Sequence, residues 1–188
     1  FWGRSIRRQL LISFGLVTLL VMISFSYLMY VQQRDFLYRT DADRAKGLVS
    51  ALASSSTSLV LTNDVAGLQE VLLGFENAPD LKFALVLSPH GEVLGATNER
   101  LIGRYINDSV SKRLLAAAPE FTVLIDDEYM VDVAMPIVVS DRHIGWARVE
   151  MSRHSSNANL KLLEWTGAGF SLLSIMASIV VAALLAVV

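Results

Sequence analysis

Two long apolar runs, residues 9–33 and 165–188, stand at either end of a polar segment, and neither contains a charged residue. Each exceeds the ~20 residues an α-helix needs to cross ~30 Å of hydrocarbon, so both are expected to span a membrane. Between them the spacing of apolar positions changes twice. Tyr38, Ala42, Ala45, Val49, Leu52, Ser56 and Leu59 alternate at spacings of four and three, which continues the first span as one long helix with a heptad stripe. That stripe suits a homodimer seam, with Tyr38, Ala42, Ala45, Val49 and Leu52 as its contacts; it would equally serve to pack the helix on its own domain. Ser54 to Ser58 is expected to weaken the helix, because hydroxyl side chains compete for backbone hydrogen bonds.

A second helix is predicted from Asn63-Asp64, good N-cap residues, through Val65, Leu68, Val71, Leu72 and Phe75. From there the period becomes that of strands. Residues 82–87 and 92–96 flank the turn Pro89-His90-Gly91, and a loop with Arg100, Gly103, Arg104 and Tyr105 leads to a short helix at 108–117. Strands at 120–125, 129–139 and 144–151 follow, joined by short polar connections and therefore antiparallel. Alternation in the last two puts Met130, Asp132 and Ala134 on one face, opposite Val131, Val133 and Met135; likewise Trp146, Arg148 and Glu150 oppose Ala147, Val149 and Met151. Helix resumes near His154.

Charge orients the whole. Arg4, Arg7 and Arg8 precede the first run, whereas Arg34 at its exit is answered by Asp35, so the N-terminus is expected in the cytoplasm and the central segment outside. The run is longer than the ~7–15 residues of a signal-peptide core and lacks a small-residue cleavage site, so it reads as an uncleaved anchor. The expected organisation is a cytoplasmic N-terminus at 1–8, a transmembrane helix at 9–31, an extracytoplasmic domain at 32–164 and a second transmembrane helix at 165–188. The chain opens on Phe1 and ends within that helix, so it reads as a fragment cut before a cytoplasmic output.

Composition narrows the chemistry. A net charge of −2 gives no strongly basic face for nucleic acid. Zero cysteines exclude disulfides, iron–sulfur clusters and thiol catalysis. His90, His143 and His154 lack partners at helical metal-ligand spacing, and Asp126-Asp127-Glu128 reads as a solvated hairpin tip before a cation site. No phosphate loop, nucleophile elbow or His-Glu-x-x-His is present, so neither catalytic residues, a metal site nor a cofactor is expected. A ligand pocket remains. Arg100, Arg104 and Tyr105 are candidates to meet an anion such as a carboxylate, because guanidinium forks fit carboxylates. Tyr129, Asp132 and Arg148 are candidates on the sheet, although a cross-strand ion pair at a solvent face is the plainer reading of the last two.

Leu85-Val-Leu-Ser-Pro-His-Gly91-Glu-Val-Leu94, then Gly103, then Ala134-Met-Pro136-Ile137 and Gly145-Trp-Ala-Arg-Val149 resemble the hairpin, loop glycine and closing strands of the extracytoplasmic PAS-like sensor domains called Cache or PDC domains. The resemblance covers residues 32–153. It implies an α+β fold, a PAS-like antiparallel five-stranded sheet with a long N-terminal helix, flanked by two transmembrane helices. With the apolar runs held in membrane lipid and the heptad stripe suited to a homodimer, it also implies a receptor of a bacterial inner membrane that binds a small molecule in the periplasm and drives a histidine kinase, a cyclic-di-GMP enzyme or a chemoreceptor. The family's usual acid before the hairpin turn is replaced by Ser88 and Pro89, and the Arg-x-Trp-Tyr run of its amino-acid-binding branch is absent. A membrane-anchored adaptor with a protein-binding domain is the alternative.

Overall fold

The computed structural model describes residues 2–187, apart from the side chains of 1–8, 10, 11, 164, 168, 178, 179 and 181–188. The charges of Arg4, Arg7 and Arg8 that orient the chain lie outside those described side chains, as does the end of the second apolar run. The chain divides into two units, residues 1–37 with 156–188, and residues 38–155.

Helix α1 runs without interruption over Trp2–Thr62. The first proline of the chain is Pro79, so nothing in this stretch removes a helical N–H. The helix continues through residues 54–58. Ser56 is fully buried, and the Thr57 hydroxyl donates to the Ala53 carbonyl at 2.8 Å, within the helix. Asn63, at a φ of +56°, ends α1, and the Asp64 amide bonds the Leu59 carbonyl at 2.8 Å. Asp64 then caps α2 (Val65–Phe75), accepting from the Gly67 amide at 2.9 Å.

Residues 38–155 are built on five antiparallel strands, β1 (Leu81–Leu87), β2 (Val93–Ala96), β3 (Thr122–Asp126), β4 (Met130–Val139) and β5 (Arg142–Ser152), in the order β2-β1-β5-β4-β3. The expected α+β architecture with a long N-terminal helix is therefore the one that forms. Ser140 and Asp141, at φ +47° and +64°, make the two-residue turn between β4 and β5. Pro136 is tolerated in β4 because it lies beyond Val131–Ala134, the stretch that β3 pairs.

The sheet has two covered faces. On one, Ala84, Val86, Val131, Val133, Ile137, Ala147, Val149 and Met151 pack with Leu68 and Leu72 of α2 and with Ala45, Val49 and Leu52 of α1. Of the two uses expected for the stripe on α1, this is packing on its own domain: Ala45, Val49 and Leu52 are fully buried, Ala42 packs against the same cluster, and Tyr38 is half-buried. On the other face, Leu85, Leu87, Val93, Ala96, Ala134 and Trp146 meet Leu114 of α3 (Ser109–Ala116).

Helix α4 (His154–Val187) follows β5 directly. Among the described residues one helical segment, Ile12–Thr62, is long and apolar enough to cross a membrane, and none of its most apolar window is buried.

Candidate functional site

The face under α3 carries the charged residues that alternation assigned to one side of the sheet. Ala134 faces Arg148 across the β4–β5 ladder, and Asp132 faces Glu150. Like charges directly opposite one another repel. Each carboxylate is drawn to a different cation. Arg148 donates through Nε to Asp132 Oδ1 at 3.0 Å and through Nη2 to Oδ2 at 2.6 Å, while Lys82 of β1 donates to Glu150 at 2.7 Å.

The pair is not at a solvent face. Asp132 is 0% exposed and Arg148 5%, which corrects the expected surface ion pair. The cause is α3, whose N-terminus closes over the guanidinium. Arg148 Nη1 donates to Ser111 Oγ at 2.7 Å, Ser111 Oγ donates to Asp108 Oδ2 at 2.5 Å, and Asp108 Oδ1 caps α3 by accepting the Val110 and Ser111 amides at 3.0 and 2.9 Å. The Phe83 ring covers the guanidinium, with its centroid 5.3 Å away. One row of hydrogen bonds thus runs from the sheet to the cap of α3.

Electrostatics follow from that row. Burial pushes the Asp132 carboxyl above the usual carboxylate range; the Arg148 guanidinium opposes this, and Glu150 and Asp108 reinforce it. Asp108 goes the other way. Its partial burial would raise it, but the hydroxyl and amide of Ser111 and the nearby charge of Arg148 hold it below its ordinary value.

The other sequence candidates lie elsewhere. The loop of Arg100, Arg104 and Tyr105 runs along β2: Val93 donates to Arg104 O at 2.9 Å, Gly103 to Val93 O at 2.9 Å, and Ile106 to Gly91 O at 3.0 Å. Gly103, at φ +75°, makes the bend that an L side chain would strain. The side chains of Arg100, Arg104 and Tyr105 are exposed, and β2 is two strands, roughly 10 Å, from β5. Tyr129 is 69% exposed just before β4. The fold brings Asp132 and Arg148 together and leaves these four apart, Arg104 and Tyr105 beside Val93 toward the Trp146 end of β5 and Tyr129 at the opposite, Ser152 end. Ser111, Asp108, Phe83, Lys82 and Glu150 were not recognised as members of the cluster. The sequence signals the short helix at 108–117, but nothing local in it points to the arginine.

Among the described residues no three His, Asp or Glu side chains gather as a metal site. Asp126 and Asp127 are engaged internally: Asp126 pairs with Arg153 at 2.7 Å, and Asp127 accepts the amides of Tyr129 and Met130. His90 and His154 are exposed; His143 is half-buried, edge-on to Trp146 at 4.8 Å, and burial lowers its pKa. In the other unit, a cavity of about 680 Å³ lies between α1 and α4, lined by Met22, Ser26, Tyr30, Leu163, Thr166 and Phe170 among others. The Thr166 hydroxyl there is spent on the Leu162 carbonyl, which keeps the lining apolar.

No family model matches the chain, and no curated protein does. Solved structures similar to it include the sensor domain of DcuS from E. coli, at 14% identity and a TM-score of 0.45, over 70% of this chain and 97% of that one. An extracellular ligand binding receptor from Desulfohalobium retbaense DSM5692 is similar at 16% identity and a TM-score of 0.47, over 65% of this chain and 24% of that one. The sensor domain of the V. cholerae histidine kinase DctB is similar at 14% identity and a TM-score of 0.38, over 82% of this chain and 58% of that one. Similarity at this level says nothing of what this chain binds.

Proposed function

We propose that this chain is the sensory and transmembrane part of a bacterial signal-transduction receptor, with residues 38–155 as an extracytoplasmic detector and the apolar runs as two crossings of the inner membrane. The observation that carries the reading is the single 61-residue helix α1. One end of it has the length and composition of a membrane span; the other end supplies Ala45, Val49 and Leu52 to the core beneath the sheet. A change in how the sheet packs on that helix has a covalent route toward the lipid, and α4 gives β5 another.

The ligand is a small anion such as a carboxylate. It is met first by the exposed loop of Arg100, Arg104 and Tyr105, and it then competes with Asp132 and Ser111 for Arg148. Its effect is limited to the difference in its affinity for the two packings, typically ~1–3 kcal/mol of coupling. The output is a histidine kinase or a cyclic-di-GMP enzyme joined through α4, and the receptor works as a homodimer.

Topology tests the reading. In whole cells, a membrane-impermeant maleimide added outside should label a cysteine placed at the exposed Lys112, whereas one at Ser5 should react only after the membrane is opened. Labelling at Ser5 and not at Lys112 in intact cells sinks the reading.

A further inference from the structure

The cavity between α1 and α4 lies within the unit of residues 1–37 and 156–188 and measures about 680 Å³. Small-molecule sites are of this size, about 300–1,000 Å³, and combine an apolar wall with a few placed polar groups. On α1 the lining runs from Met22 to Gln33, and on α4 from Leu160 to Ser171. At a rise of 1.5 Å per helical residue, either stretch is about 16 Å long. Spread over that length, the volume leaves a mean cross-section of about 40 Å². A helix with its side chains, about 10–12 Å across, needs roughly twice that or more. The space is too slender for a helix of a second copy and wide enough for a flat ring or one hydrocarbon chain.

The wall sorts by chemistry. Its polar groups are Ser26, Tyr27, Tyr30 and Gln33 from α1 and Thr166 and Ser171 from α4. The two hydroxyls of α4 are already committed: Thr166 donates to the Leu162 carbonyl at 3.0 Å and Ser171 to the Gly167 carbonyl at 2.9 Å, so toward an occupant they can only accept. The donors offered to an occupant therefore come from α1, where Ser26, Tyr30 and Gln33, at i, i+4 and i+7, share one face. None of the described residues lining the cavity is charged. A phospholipid headgroup would find no counter-charge there, and a bare acyl chain would leave the donors unsatisfied in hydrocarbon, which is costly. A neutral head with carbonyl acceptors answers both conditions. Tyr30 and Gln33 stand at the end of the α1 stretch that leads out of the apolar run, and Met22 and Ile23 at the end within it, so head and tail have separate places. Gly167 opens the middle: it lines the cavity, and a Cβ there would meet nothing within 4 Å.

We propose that this cavity binds a neutral, lipid-soluble molecule with a carbonyl-bearing ring and one apolar tail, the chemistry of a membrane quinone. The ring sits against Tyr30 and Gln33, and the tail runs toward Met22. The site rests on the reading of both apolar helices as membrane-embedded, and it adds an input taken from within the bilayer to the one taken outside.

The test uses the whole chain in lipid nanodiscs, with a decyl-substituted para-benzoquinone as the probe and a Trp2→Phe background. Trp165, exposed beside Thr166, reports binding by quenching of its emission, whereas Trp146 is buried in the other unit. Quenching should saturate. Tyr30→Phe combined with Gln33→Leu should weaken binding about tenfold or more, as the loss of hydrogen bonds requires. Gly167→Leu should abolish it by filling the space, whereas Gly169→Leu, with equal room for a side chain but outside the lining, should leave it unchanged. Quenching that rises linearly and equally in every variant overturns the site, because the probe then only dissolves in the lipid. Binding lost in Gly167→Leu but untouched by Tyr30→Phe with Gln33→Leu overturns the carbonyl-bearing head and leaves a slot for any lipid chain. Ready disulfide formation between copies of Gly167→Cys, in a chain with no other cysteine, overturns the proposal as well, since a second copy then covers the cavity. None of these readings depends on which side of the bilayer residues 38–155 occupy, so the maleimide experiment and this one fail separately.

Discussion

Asp132 and Arg148 show how far a side chain's meaning depends on what covers it. Period-two alternation places both on one face of adjacent strands, and that much was readable along the chain. Their burial was not, because the cover is α3, contributed by residues some 20 to 40 positions earlier. Removing one partner of a buried pair leaves a charge without compensation, so Arg148→Met should cost about 3–5 kcal/mol at neutral pH in a denaturant titration. The pH dependence has a definite sign. The folded state holds the Asp132 proton more tightly than the unfolded chain, whose carboxyl titrates near 3.8, so this group adds stability as pH falls from its raised folded value toward 3.8. Arg148→Met removes the cation that opposes the shift, so the variant should regain part of its deficit on acidification. A deficit that is constant with pH would mean Asp132 is already neutral in the wild type. Asp108 has the opposite slope: it contributes stability above 3.8, lost as pH falls through its lowered value.

At the scale of elements, close approach decides which glycines matter. A Cβ on Gly145 of β5 would lie 2.5 Å from the Leu87 carbonyl oxygen of β1, a backbone atom that cannot step aside without breaking the ladder. Gly47 in α1 has nothing within 4 Å. Gly145→Ala should therefore lower the melting temperature markedly, whereas Gly47→Ala should raise stability by up to ~1 kcal/mol through helix propensity alone. Equal effects of either sign would contradict this packing. The same scale explains the stripe on α1. Its spacing was correctly read as a buried helix face, but a heptad records only that something apolar lies opposite. Here the sheet is that partner.

For the molecule as a whole, the loop of Arg100, Arg104 and Tyr105, proposed to read an anion, is the part the fold leaves most open to test. Arg104 is exposed, and among the described residues its backbone carbonyl, not its guanidinium, is what bonds to β2. In a thermal-shift assay of the whole chain in detergent against small organic acids, Arg104→Ala should abolish the stabilisation given by an acid that binds, while leaving the unliganded melting point nearly unchanged. A large loss of unliganded stability would assign Arg104 a structural part instead.

Local rules in the chain determined the order of helices and strands, the antiparallel meander, the cap at Asn63-Asp64 and the side of the sheet on which each strand residue lies. These depend on near neighbours, on backbone conformation and on a period of two or 3.6, all carried by adjacent positions. Tertiary structure alone decided that α1 lies on its own sheet, that α3 seals Arg148 against Asp132, and that Arg153 gathers α1, the β3–β4 turn and the exit of β5. Each of those unites residues far apart in sequence, where the free energy of burying a charge or an apolar stripe depends on a surface that no single segment contains.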